Sequence, residues 1–142
     1  MTKVPFNIPE EKLRHYLRLM EKQKALSTAE KARGDFMQYV HCIWEEFIQG
    51  EHHKIMAQKS NDLATGKIKR LIVNMPPRHT KSEFASFLLP SWLMGRNPKL
   101  KIIQATHTGE LAVRFGRKVR NLMASGEYST VFPEVKLRSD SL

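Results

Sequence analysis

The sequence predicts an α/β fold in which a partial parallel sheet follows an N-terminal helical segment. Three observations lead there. Up to residue 65 the apolar residues recur at helical spacing. From residue 69 the pattern changes to a short apolar run, a tight turn and a helix opened by Lys81-Ser82. A second apolar run and a second helix follow at 101–125. Strand, helix, strand and helix in that order imply a right-handed crossover and parallel pairing.

Taken along the chain, residues 1–9, with Pro5 and Pro9, read as an extended arm. Residues 10–26 are rich in charge and carry Leu13, Leu17 and Met20 at helical spacing, the pattern of a surface amphipathic helix. Ser27-Thr28-Ala29-Glu30 fits a capping box and predicts a second short helix. Gly34-Asp35 stops that helix and caps the next. In 36–49 the positions Phe36, Val40, Ile43, Trp44, Phe47 and Ile48 form a helical stripe, ended by Gly50, whose aromatics read as core. A further helix over 52–65 ends at Gly66.

Residues 69–74 read as a buried strand. The helix after it carries Phe84, Phe87, Leu88, Trp92 and Leu93, and Pro90 inside it predicts a kink or break because proline removes a backbone donor. Gly95 and Pro98 close it. Residues 101–106 read as the second strand, and Thr108 is placed to cap a helix running to about residue 125. On that helix Leu111, Ala112, Phe115, Val119, Leu122 and Met123 share one face, while Arg114, Arg117, Lys118 and Arg120 cover the other. The cationic face is either a solvated surface or a contact for phosphate backbone or a subunit. After Gly126 the apolar pieces are short and give no clear closure. Two units result: a helical arm over 1–35 and the strand-and-helix unit over 36–142.

The most specific stretch is Leu71-Ile72-Val73-Asn74-Met75-Pro76-Pro77-Arg78-His79-Thr80-Lys81-Ser82-Glu83. Strand, turn and Lys-Ser at a helix start is the layout of a phosphate-binding loop. In such a loop backbone N–H groups cradle a polyphosphate, the lysine pairs with its outer phosphates and the serine hydroxyl binds Mg²⁺. The usual loop has glycine just before the lysine and again five residues earlier, where this chain has Thr80 and Met75. Glycine supplies unusual φ/ψ and close backbone approach. Pro76 and Pro77 stiffen the turn, and Arg78 adds a permanent charge able to fork onto phosphate oxygens. The alternative is a basic surface turn in which Lys81-Ser82 merely begins a solvated helix.

Composition narrows the partners. The 142 residues carry a formal net charge of +10, a balance that favours a polyanion such as nucleic acid or nucleotide. With 41% hydrophobic residues the chain can build one ordinary core. The single Cys42 excludes an internal disulfide framework and fits a reducing compartment. The first residues lack the apolar core of a signal peptide, and no apolar run reaches bilayer length. The adjacent His52 and His53 are read as structural or close to nucleotide, since no other histidine, cysteine or carboxylate completes a metal-ligand spacing. Thr106-His107-Thr108 is placed by topology to touch ligand or DNA.

The loop resembles that of the large terminase subunits of tailed phages, the motors that pump DNA into capsids, whose loops commonly read Pro-Pro-Arg-His, a small residue, then Lys-Ser. The resemblance continues through Leu89-Pro90-Ser91-Trp92, Gly95-Arg96-Asn97-Pro98, the run 101–106, the helix 110–123 and the segment from Tyr128 to Phe132-Pro133. Phe47-Ile48, Gly50 and His52-His53 also match the stretch before the motor strand, so coverage is about residues 36–142.

The resemblance implies a P-loop NTPase-like domain that binds ATP and Mg²⁺ through Pro77, Arg78, His79, Thr80, Lys81, Ser82 and Glu83. Lys81 would meet the β/γ-phosphates, Ser82 would help hold Mg²⁺, and Arg78 would sense or stabilise the γ-phosphate. It implies double-stranded DNA, the small terminase subunit and the portal protein as partners, a homo-oligomeric ring, no membrane, and the host cytoplasm as location. The family's Walker B acid and nuclease domain have no counterpart: the acids after Glu83 are Glu110, Glu127, Glu134 and Asp140, and none ends an apolar strand. The expectation is therefore the first part of an ATPase motor domain, with little hydrolysis alone because the catalytic carboxylate is missing. Two other readings stay open: a helicase-like P-loop motor, and a non-catalytic fragment that binds DNA, the small terminase subunit or the portal through Arg114, Arg117, Lys118 and Arg120.

Overall fold

A computed structural model of the chain describes residues 9–138, and the regular structure among them is helical. Among the described residues there are six α-helices: α1 (Glu10–Gly34), α2 (Phe36–Ile43), α3 (Glu51–Ala64), α4 (Leu89–Arg96), α5 (Gly109–Met123) and α6 (Gly126–Val131). A π-helical segment, Glu83–Leu88, runs directly into α4. Most of the predicted arm at 1–9 lies outside the described residues. No described helix is long and apolar enough to cross a membrane.

The parallel sheet is not formed: among the described residues there is no strand, so the α/β expectation is corrected to an all-helical fold. Both predicted strands, 69–74 and 101–106, run without regular secondary structure. The first keeps the alternation that suggested a strand, with Leu71, Val73 and Met75 partly buried while Ile72 is 85% exposed. In the second, Ile103 is 95% exposed. Strand-like composition favours an extended backbone but does not supply a hydrogen-bonding neighbour. Two short runs are also fewer than the roughly three strands that a self-standing sheet requires.

α1 is one continuous helix of 25 residues, which corrects the predicted break at Ser27. The Thr28 hydroxyl donates to the Lys24 carbonyl at 2.9 Å inside the helix, so it does not cap a new one. Ala29 and Ala32 are buried, whereas Leu13, Leu17, Met20 and Leu26 remain exposed. Asp35 does end α1 and cap α2: its Oδ1 accepts from the Gln38 N–H at 2.9 Å. Asn61 of α3 braces that cap, donating to Asp35 Oδ2 at 2.7 Å and accepting from the Phe36 N–H at 2.9 Å.

α2 stops at Ile43 instead of running to Gln49. The chain turns through Glu45 and Glu46, which swings Phe47 into the core beside Phe84 with ring centroids 5.4 Å apart and leaves Ile48 88% exposed. A straight helix would have kept Trp44, Phe47 and Ile48 on one continuous surface.

The core is aromatic. Phe36, Tyr39, Val40, Phe84, Leu88, Trp92, Tyr128 and Phe132 are buried together. Phe36 meets Phe84 edge-on at 5.7 Å and Trp92 at 5.2 Å. Among the described residues each buried side-chain nitrogen and oxygen has a partner. Trp92 Nε1–H donates to the Ala32 carbonyl at 2.9 Å. Tyr39 donates to Ser91 Oγ at 2.7 Å, Ser91 donates on to the Leu88 carbonyl at 2.8 Å, and Tyr128 donates to the Ser91 carbonyl at 2.9 Å. Burial pushes both phenols up, Tyr128 to about 12 and Tyr39 further, so both stay neutral donors.

Pro90 does not break the helix that holds Trp92. It lies inside a helical run continuous from Lys81, where the wider π segment gives way to α4. The Ser86 carbonyl, which a proline cannot satisfy, accepts from Gln104 Nε2 at 3.2 Å. Gly95 lies inside α4, which runs on to Arg96, so it does not close the helix as expected; its role is packing, because a Cβ there would lie 2.5 Å from the Phe132 ring. That ring belongs to a closure absent from the sequence reading. Ser125 accepts from the Tyr128 N–H at 3.3 Å and caps α6, which buries Tyr128 and Val131. Ser125 before Gly126-Glu127, with Tyr128, Val131 and Phe132 at helical spacing, is the signal that carried it.

Candidate phosphate-binding site

The loop is bounded below by the core and above by open solvent. Val73 and Met75 pack against the core cluster, and Phe84 is buried in it, so both ends of the loop are anchored. Between them residues 75–83 line a concavity of about 570 Å³. Helical structure begins at Lys81, and the first backbone bond of that helix runs from the Phe84 N–H to the Thr80 carbonyl at 3.0 Å. Among the described residues the N–H groups of 78 and 80–83 have no backbone acceptor. A helix start with open N–H groups carries partial positive charge and receives anions.

Two loop residues hold left-handed backbone: Arg78 at φ 65° and Thr80 at φ 57°. For a residue with a side chain this conformation costs roughly 1–2 kcal/mol. Thr80 occupies the place where phosphate loops have the glycine before their lysine, and it adopts a conformation that glycine takes freely.

The predicted residues fall as follows. Pro77 is exposed, and its carbonyl accepts from His79 Nδ1–H at 2.9 Å. Arg78 is exposed and Lys81 half-buried, and among the described residues neither has a carboxylate partner. The Thr80 hydroxyl is taken up by the His79 carbonyl and by His53. The Ser82 hydroxyl is exposed and without a protein partner among the described residues, so of the two loop hydroxyls it is the one that fits a Mg²⁺ carried in with a nucleotide. Glu83 is ion-paired with Lys118 of α5 and is not a free metal ligand.

The α5 cations divide. Thr108 caps the helix as expected, accepting from the Leu111 N–H at 3.3 Å. Arg114 and Arg117 are exposed and without an ion pair among the described residues, and Arg120 is half-buried. Lys118 is committed to Glu83 and lies 4.3 Å from the centre of the Phe87 ring. The Thr106 hydroxyl donates to the Thr108 carbonyl at 2.6 Å, and His107 is exposed.

The histidine pair belongs to the site. His53 is buried, His52 exposed, and their ring centres lie 3.8 Å apart, with His79 of the loop 5.8 Å from His52. Burial first, then the His52 and His79 rings, hold His53 below the ordinary histidine value. No group of three or more histidines, cysteines or carboxylates among the described residues is arranged to hold a metal ion. The sequence contained the signal for this contact, two histidines at a helix start, but nothing in it pointed to Thr80 as the partner.

No known family model, characterised protein or solved structure matches the chain.

Proposed function

We propose that residues 75–83 bind the polyphosphate of a nucleoside triphosphate, Mg-ATP in the first instance, as part of a DNA-packaging motor of the terminase type. The observation that carries this reading is the backbone of the loop. Two non-glycine residues sit in left-handed conformation around open N–H groups, and Lys81 follows at the start of the helix. Strain of this kind persists where the surrounding structure fixes it, and it clusters at ligand clamps. Arg78 and Lys81 add two cations without carboxylate partners among the described residues. The resemblance of Pro76-Pro77-Arg78-His79-Thr80-Lys81-Ser82 to terminase loops supplies the choice of ATP and of the motor.

Calorimetry with Mg-ATP on the purified chain and on Lys81→Ala tests it. Binding that disappears in the variant is expected; equal affinity in both proteins removes the assignment. Hydrolysis by the chain alone is expected near background, because Glu83, the carboxylate beside the loop, is engaged by Lys118. Turnover that depends on Lys81 would contradict this.

A second reading rests on α5. Arg114 and Arg117 form an exposed cationic face suited to phosphate backbone. Replacing both with alanine is expected to reduce the salt slope of DNA binding by about one unit per lost phosphate contact. An unchanged slope returns that face to solvent.

A further inference from the structure

Thr80 is β-branched, and its φ of 57° is a conformation such residues avoid, so a contact must hold it there. That contact comes from α3. His53 Nε2 lies 2.7 Å from Thr80 Oγ1. The direction of the bond follows from its neighbours. The Gly50 N–H donates to His53 Nδ1 at 2.9 Å, so Nδ1 is an acceptor and the ring hydrogen is on Nε2. The Thr80 hydroxyl hydrogen goes to the His79 carbonyl at 2.7 Å, which leaves the Thr80 oxygen free to accept from His53. The relay runs one way, from Gly50 through His53 and Thr80 to His79.

The ring that carries this relay is fixed on its other sides. His53 is 5% exposed, stacked on Phe84 at 5.1 Å and edge-on to Phe47 at 4.7 Å. Gly50 permits the approach: a Cβ there would lie 2.9 Å from His52 Cε1 and 3.5 Å from His53 Nδ1. The titratable groups facing the ring are His52 on its own helix and His79 on the loop, while the 44–50 segment and the π segment present Phe47 and Phe84.

We propose that His53 is a positioning residue of the loop, holding Thr80 in the left-handed conformation that glycine supplies elsewhere and so aiming the loop N–H groups at a polyphosphate. The proposal rests on the reading of residues 75–83 as a polyphosphate site. It assigns His53 no contact with ligand. Its neutral form is required, because a proton on Nδ1 would face the Gly50 N–H, donor against donor. Burial and the two neighbouring histidines favour that neutral form.

The test is a double-mutant cycle between positions 53 and 80, read by calorimetry with inorganic tripolyphosphate and with Mg-ATP, with thermal melts alongside. His53→Ala is expected to weaken binding about tenfold, a loss of about 1.4 kcal/mol. His53→Gln, whose amide nitrogen can donate to the same hydroxyl, should recover most of it. Thr80→Val, which removes the hydroxyl that His53 contacts, should match the His53→Ala loss. In a Thr80→Gly background His53→Ala should cost little, because glycine needs no clamp. Equal losses in the threonine and glycine backgrounds would overturn the proposal.

Absence of binding by the unaltered chain, with Lys81→Ala indistinguishable from it, would sink the polyphosphate reading and leave the clamp to be decided separately. Backbone ¹⁵N order parameters at 78–82 decide it, falling from about 0.85 to below about 0.6 in Thr80→Val if His53 holds the loop. Unaltered order parameters would reject the clamp.

Discussion

Two regions of this chain are both apolar in sequence and opposite in structure. Around Trp92, residues of α2, the π segment, α4 and α6 bury their rings against one another, and no buried side-chain polar atom among the described residues lacks a partner. In the runs 69–74 and 101–106, residues as hydrophobic as Ile72 and Ile103 face solvent. Hydrophobic content is therefore a poor guide to burial here. The first region has helices whose backbone bonds are internal, leaving side chains free to find one another. The second has extended backbone whose hydrogen bonds need another strand, and none is present among the described residues.

The sharpest way to break that contrast is truncation on both sides of it. Trp92→Ala should destabilise the fold by about 3–5 kcal/mol, since it empties the centre of the core and orphans the Ala32 carbonyl. Chemical denaturation measures this, and a loss of under ~1 kcal/mol would mean the core is not organised around the indole. Gly95→Ala forces a methyl against Phe132 and should cost about 1–3 kcal/mol by the same measurement. A neutral result would show that α6 shifts freely.

Asp35→Ala removes the α2 cap and strips Asn61 of its acceptor, for which about 1 kcal/mol is expected. Acid should act in the same direction through His53. Its folded value lies below the ordinary histidine value, so the unfolded chain binds the proton first. Stability should be fully present above the ordinary value and fall as pH drops toward the folded one. His53→Gln should flatten that part of the melting-temperature profile, and an identical profile in the variant would exclude this titration. At the small end, Ile72→Ser with Ile103→Ser should move the denaturation midpoint by less than ~0.5 kcal/mol. A large loss would show that these side chains are buried in solution.

The same contrast separates what was legible in the sequence from what was not. The Asp35 cap, the Gly66 and Thr108 helix limits and the apolar face of α5 rest on local rules of spacing and hydrogen bonding, and those rules held, whereas Arg120, assigned to the cationic face, is half-buried. The sheet failed because pairing is a property of two segments, and composition reports on each alone. The continuity of α1 through Thr28 and the early end of α2 were lost for a related reason: a capping pattern and an apolar stripe each have a second solution that packing chooses. At the loop, residue types pointed to Arg78, Lys81 and Ser82, while the backbone conformation of Thr80 and its bond to His53 join residues 27 apart and leave no mark in either segment.

One consequence of the π segment concerns angular phase. Glu83–Leu88 lies between Lys81 and Trp92, and a π turn accommodates one residue more than an α turn. Each residue of an α-helix advances the side-chain direction by about 100°, so this segment rotates the start of the helix by about that angle relative to the indole that anchors it. The facing of Lys81 is thus set from inside the molecule, by the winding of six residues further along the chain. Restoring regular winding there would keep the length of the helix nearly unchanged and point the lysine elsewhere.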